Sequence, residues 1–324
     1  KKERKVLYHL PAGKQLADLK IQLPANYGFY IHCSHTIVRN FTMMFSWNDG
    51  FDAAETPKHA MYVNCLAYNS CGQGMSIHDA SDVYYEECGA VNCASSAVCN
   101  VGQSSGTYQR CVLIDSTFEA AVILSDDASA LFDECLIADA EPAELIWQRA
   151  RSRITFSNCT LIGNGKCNLA SLEAGGLSFF GCTMRNGTGF ISLESRFSTG
   201  ALSVEKSLLR GFARYYVKLP DQPTARRIRL AGNRYAPTAG HWFRGKPEVP
   251  GTSPALTKLQ LDRDSKTEAF ELTGRKSSEN PHAVDRRSLR IGSKLPESVW
   301  KIYDRLKQYE ATPAGIVKKG AVAR

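Results

Sequence analysis

The sequence predicts an all-β solenoid of parallel coils, and two periodic features predict it. First, a cysteine recurs as Cys65, Cys88, Cys111, Cys135, Cys159 and Cys182, in MYVNC, VYYEEC, TYQRC, LFDEC, ITFSNC and LSFFGC. The steps are 23, 23, 24, 24 and 23 residues. Second, another strand-like phrase recurs between the cysteines: GFYIHCS, GFDAAE, GMSIHD, AVCNVG, AVILSDD, ELIWQRA, NLASLEAG and GFISLES. A repeat of this length with two or three short strands is one coil. Stacked coils bury a continuous core and pair each strand with those above and below.

Each ladder cysteine follows a short β-type run and precedes an apolar pair. Phe41 holds the same register one step earlier, and Ser207 and Asn233 continue it later. Cysteine suits a stacked interior column because a free thiol behaves as a small buried hydrophobe. Ladder neighbours one strand spacing apart, ~4.8 Å, would distort the stack if bridged, so thiols are expected. Cys71 and Cys93 occupy similar places on adjacent coils and are the pair best placed for a disulfide. No cysteine or histidine spacing is that of a zinc site. Cys33 and Cys99 have no base beside them in sequence.

After Asn233 the pattern fades into APTAGHWFRGKPEVPGTSPALTKLQ, rich in Pro and Gly, and residues 239–295 read as loops with a few short strands. PESVWKIYDRLKQYE then sets Val299, Ile302, Tyr303, Leu306 and Tyr309 at helical spacing behind Pro296. Residues 1–238 are therefore expected to form the coiled domain. Residues 239–324 are expected to form a basic C-terminal extension packing on or capping it. In that tail His241, Trp242 and Arg244 read as a sugar-stacking group or as packing.

The net charge of +8 hides a division. Residues 44–148 hold 16 acidic residues against Lys58 and Arg110, whereas residues 221–324 hold 21 basic against 11 acidic. No basic stripe with stacking aromatics appears, so nucleic acid is not an expected partner. No apolar run is long enough to span a membrane. KKERKVLYHL lacks the apolar core of a signal peptide, and the expected location is secreted or periplasmic with the leader removed.

Several phrases carry a family resemblance. KVLYHLPAGKQLADLKIQLP resembles the entry segment, and HTIVRNFTMMFSWNDGFD, GQGMSIHDAS and AVCNVGQSSGTYQRC resemble the early coils, of right-handed parallel β-helix proteins of the pectate-lyase-like superfamily. The resemblance is to bacterial β-helix glycoside hydrolases and polysaccharide lyases in particular, and it covers residues 5–238. The cysteines stand where that superfamily often carries an asparagine ladder. The resemblance implies a single right-handed parallel β-helix of nine to ten coils with a C-terminal loop and helix extension. It also implies a carbohydrate-active enzyme cleaving glycosidic bonds of a polysaccharide or oligosaccharide, as a glycoside hydrolase or alternatively a polysaccharide lyase. Fold alone does not fix a reaction, so a non-catalytic β-helix for binding or assembly stands beside them.

Strand alternation assigns the faces. Taking Phe29, Phe51, Met75, Val98, Val122, Leu145, Leu169 and Phe190 as inward puts Tyr30, His32, Asp52, Ser76 and His78 outward on the first three coils. The same register puts Ile123, Ile146, Leu172, Ile191 and Leu193 outward later. That apolar stripe would need cover from the tail or from a second subunit, as in a homo-oligomer. The candidate catalytic residues are Asp52, His78, His32, Asp49 and Asp79, with Tyr30, Glu55 and Ser76 as substrate contacts. Two carboxylates one or two coils apart suit glycoside hydrolysis. A His/Asp pair with Tyr30 as acid suits abstraction of a sugar C5 proton. Asp49, Asp52 and Asp79 together could hold Ca²⁺, although no cofactor is expected to be required. Asp49, Asp79 and Asp82 also read as turn residues. Arg149, Arg151 and Arg153 form a basic turn suited to a carboxylate, a sulfate or solvent.

Overall fold

A computed structural model describes residues 28–138, 144–193, 200–218, 228–236 and 295–306, with the backbone of short strands within 241–318. The entry segment before residue 28 and the side chains of His241, Trp242 and Arg244 lie outside the described residues. The chain is a right-handed parallel β-solenoid of about 8 turns, and one of its sheets stacks ten strands in chain order.

One coil shows how sequence makes the elements. It comprises the strands Met75–Ile77, Asp82–Glu86 and Gly89–Val91. In DVYYE, Val83 and Tyr85 turn inward while Asp82, Tyr84 and Glu86 turn out, as a period of two requires. Each strand pairs in parallel with its counterpart on the next coil, Tyr62 with Tyr85, Tyr85 with Tyr108, and Tyr108 with Phe132. These aromatic rings stack inside the coil, continuing through Phe156 and Phe179, at centroid spacings of 4.5–5.1 Å. Each lies three residues before a ladder cysteine.

The ladder has a definite task. The backbone N–H groups of Cys65, Cys111 and Cys135 donate to the sulfurs of Cys88, Cys135 and Cys159, each at 3.4 Å. Cys182 N–H then donates to Ser207 Oγ at 3.1 Å, and Ser207 N–H to Asn233 Oδ1 at 2.9 Å. Thiol, hydroxyl and amide thus serve one slot by accepting a corner amide that would otherwise be buried unpaired. The residue before each slot, from Asn64 to Gly232, has φ between 51° and 64°. All eleven cysteines are free thiols. The expected Cys71–Cys93 disulfide is therefore absent, with Cys71 exposed and Cys93 buried.

The face assignment needs correction from residue 145 onward. Val122 pairs with Ile146, Ile146 with Ala170, and Ala170 with Ile191, so Ile146 and Ile191 point inward with Leu172 and Leu193. The outward column instead runs Tyr30, Asp52, Ser76, Cys99, Ile123, Trp147, Ser171 and Ser192. The slip has a steric cause. The corner slot before the strand holds Gly28, Gly50, Gly74 and Ala97 in early coils but Leu145, Leu169 and Phe190 in later ones. A Cβ on Gly74 would come within 2.4 Å of the Ala90 Cβ, so the slot at Gly74 has no room for a side chain.

Apart from Ile123, the stripe offered as a subunit interface is thus core. The apolar outward face belongs to the third strand of each coil, where Leu66, Tyr68, Val91, Val112, Ile114, Leu136 and Ile162 form one cluster. The helix Glu297–Leu306 covers it with Val299, Trp300, Ile302, Tyr303 and Leu306. Tyr68 donates to the Arg305 carbonyl at 3.2 Å, and the Arg305 guanidinium donates to Asn64. Gly89 admits the helix, since a Cβ there would stand 3.0 Å from Leu306 Cδ1.

Candidate active site

Three adjacent strands, Phe29–Ile31, Phe51–Ala53 and Met75–Ile77, present Tyr30, Asp52 and Ser76 in register. Asp49 enters from the corner before the second strand, and His78 leaves the third at its end. Ser76 Oγ lies 2.7 Å from Asp49 Oδ2 and 3.0 Å from Asp52 Oδ1. His78 Nε2 lies 3.7 Å from Asp49 Oδ2 and 3.5 Å from Asp52 Oδ1. The side chains of Asp49 and Asp52 are 2% and 6% exposed, whereas that of His78 is 33% exposed.

A serine hydroxyl has one proton to give. If Ser76 donates to Asp49, its contact with Asp52 is a hydrogen bond only when Asp52 carries a proton. The electrostatics agree. Burial, helped by the Asp49 charge, pushes the Asp52 carboxyl up to about 6, against the opposing pull of His78 and Ser76. His78 is raised by the facing Asp49 carboxylate and by Asp52, against burial. Asp49 itself is fixed as a hydrogen-bond acceptor. Its Oδ1 takes the Gln73 backbone N–H at 2.8 Å, and the Gln73 side-chain amide, oriented by its hydrogen bonds, donates to the same carboxylate. Ser76 hydrogen-bonds both carboxyl groups and His78 faces them at ion-pair distance, so the four side chains form one electrostatic unit.

The interior holds this unit from behind. Tyr62 OH donates to the Asp52 carbonyl at 2.7 Å, and Tyr85 OH reaches the Ser76 carbonyl at 3.3 Å. Neither tyrosine was singled out in the sequence, yet a signal existed. The stacked column is Tyr at 62, 85 and 108, then Phe at 132, 156 and 179. Within the stacked column, the Tyr62 and Tyr85 hydroxyls stand behind Asp52 and Ser76, and that of Tyr108 donates to Asn100 Oδ1 at 2.6 Å.

The other expected site residues separate from this unit. His32 is exposed, two strands from His78 with Ala54 between, and its ring sits 5.8 Å from that of Tyr30. Asp79 is a corner residue with φ of 60°, and its Oδ2 accepts the Glu55 N–H at 3.0 Å. The same device recurs where Asp126 accepts the Gly102 N–H and Glu173 the Ala150 N–H, which marks Asp79 as a structural cap. Glu55 is exposed and hydrogen-bonds the Tyr30 side chain. Desolvation and then Glu55 raise the Tyr30 phenol, with smaller effects from Asp52 and Asp79. Tyr30 thus stands between the buried carboxylate and the rim carboxylates. Cys99 is next on the column, and burial pushes its thiol up to about 12, unsuited to nucleophilic chemistry. Of the basic turn, Arg149 lies over the Trp147 ring at 4.2 Å and Arg151 pairs with Asp127 at 2.7 Å.

Oxygen and nitrogen atoms of Asp49, Asp52 and His78 lie within 4.8 Å of one another, close enough to share a cation. The set does not suit Ca²⁺, which takes about six to eight oxygens. Asp79 is not in it, one donor is an imidazole, and Asp49 is already engaged by Ser76 and Gln73.

Comparison with known proteins gives one match: the family described as right-handed beta helix region, over residues 27–197. No curated protein and no solved structure matches the chain.

Proposed function

The chain belongs to the right-handed β-helix family, and from that premise we propose that it is a carbohydrate-active enzyme. On this reading it hydrolyses glycosidic bonds of a polysaccharide or oligosaccharide laid across its first coils. One observation carries the reading: the Asp52 carboxyl, raised to about 6, inside a unit whose outer face is His78. Glycoside hydrolysis needs an acid that still holds its proton near neutral pH to protonate the departing oxygen. Asp52 supplies it, with Ser76 and Asp49 setting the carboxyl's orientation and His78 sharing the charge. Glu55, on the rim beside Tyr30, is the exposed carboxylate available to assist attack by water.

The surroundings favour a neutral sugar at the cleaved bond. A uronate there would face Asp49, Asp52, Glu55 and Asp79, while the Lys58 ammonium is turned to the Ala80 carbonyl. The chemistry requires no metal, and the protein would act outside the cytoplasm, secreted or periplasmic. A second reading, a polysaccharide lyase, is favoured by the greater exposure of His78. It makes His78 the base and Tyr30 the acid.

Product analysis on a glycan panel decides between them. New reducing ends without ultraviolet absorbance, undiminished by chelator, are expected for the hydrolase. Absorbance from an unsaturated sugar would move the assignment to the lyase. Inertness on the whole panel would favour a β-helix that binds or assembles without catalysis.

A further inference from the structure

The outward column that carries Asp52 and Ser76 reaches, seven strands later, a basic cleft. Lys218 is in register with Ser192, and through Ser171 and Trp147 with the same column. Around it opens a cleft of about 380 Å³ lined by Lys166, Arg214, Lys218, Glu144, Asn168 and Tyr215. Strand spacing of about 4.8 Å puts Lys218 roughly 34 Å along the face from Asp52.

The cleft has a fixed frame and free charges. Glu144, the lone acid in the lining, is occupied: Trp147 Nε1 donates to one oxygen and Asn168 Nδ2 to the other, the latter at 3.3 Å. Tyr215 OH donates to Asn168 Oδ1 at 2.6 Å, so the carboxylate, amide and phenol form one chain. The turn bearing Lys166 is pinned by Asn164 Oδ1, which accepts the Lys166 N–H at 2.8 Å, and by Thr188 Oγ1, which donates to the Lys166 carbonyl at 2.8 Å. Lys166, Arg214 and Lys218 are exposed, and among the described residues none of them forms an ion pair. Three cations line a hydrogen-bonded polar recess whose one lining carboxylate is already engaged. An oxyanion would be held there by charge-assisted hydrogen bonds.

We propose that this cleft is an oxyanion subsite for a sulfate or carboxylate group borne on a sugar chain. The same chain would run along the outward column to the acid unit on the early coils. The proposal rests on the glycan reading above and sharpens it. The substrate is neutral at the cleaved bond, where the protein is acidic, and carries its anionic substituent several sugars away, where the protein is basic.

Binding, measured by calorimetry, separates this proposal from the catalytic one. The full chain carrying Asp52→Asn would be titrated with matched neutral, sulfated and carboxylated oligosaccharides, and with inorganic sulfate. The expected result is binding of one charged series about tenfold tighter than the neutral series. That preference should shrink with added salt. It should fall severalfold in Lys218→Gln and in Arg214→Gln, both on exposed side chains, and persist in Lys301→Gln on the distant helix. The sulfated and carboxylated arms identify the group. Equal affinity for neutral and charged chains would overturn the proposal. So would an undiminished preference in both cleft variants, or inorganic sulfate binding as tightly as the sugar. A wild-type chain that cleaves none of these sugars yet shows this preference would count against the hydrolase reading alone.

Discussion

Burial holds a proton on Asp52 up to about pH 6, above the ordinary carboxyl value of 3.8, and this has a consequence for stability. The folded chain binds that proton more tightly than the unfolded chain does. The cost of ionising Asp52 is therefore absent below the unfolded value and grows as pH rises through about 6. His78, raised in the fold, contributes stability that is likewise lost as pH rises through its folded value. Asp52→Asn should be less stable or equal to wild type near pH 4 and gain on it by roughly 3 kcal/mol at most by pH 7. Urea midpoints across that range would show it, and parallel profiles would contradict it. Asp79 should behave differently. Asp79→Asn should keep both the left-handed corner and activity. Asp79→Ala should cost about 1–2 kcal/mol and leave the pH profile of catalysis unchanged. Asp52 and His78 were legible as partners from the repeat alone, because strand alternation puts them outward on adjacent coils. The roles of Asp49 and Asp79 were not, because both occupy corners. There, hydrogen bonds to Gln73 and Glu55 decide which side chain joins the site and which caps the turn.

At the scale of elements, the ladder slot and the helix lid are the testable units. Cys135 accepts the Cys111 N–H and lies in a slot that Ser207 fills on a later coil. Cys135→Ser should therefore be milder than Cys135→Ala, which leaves that amide unpaired at a cost of about 1–3 kcal/mol. A thermal melt ranking Ser below Ala would contradict the hydrogen-bonding role. Trp300→Ala removes a buried ring from the lid and should cost about 3–5 kcal/mol while leaving the distant acid unit active. The sequence showed the helix and an apolar stripe in need of cover, but matched them to the wrong strand column. Period-two alternation cannot reveal that two successive residues, such as Leu145 and Ile146, are both buried where a corner runs into a strand.

Across the whole molecule, one outward column joins two regions of opposite charge. Asp49, Asp52, Glu55 and Asp79 gather on the early coils, and the basic cleft around Lys218 lies seven strands further along the same face. The repeat made the solenoid and the acidic block visible in the sequence. The cleft was not visible, because Glu144, Lys166 and Arg214 come from three different coils and meet only when these stack. The central claim is that Asp52 delivers a proton to a glycosidic oxygen. It is tested most directly by the pH dependence of kcat/KM for wild type and Asp52→Asn, on the glycan giving the fastest release of reducing ends. The predicted result is a wild-type rate that declines as pH rises through about 6, and a variant slower by at least about 100-fold without that limb. A variant that keeps the wild-type rate and the same alkaline decline would contradict it.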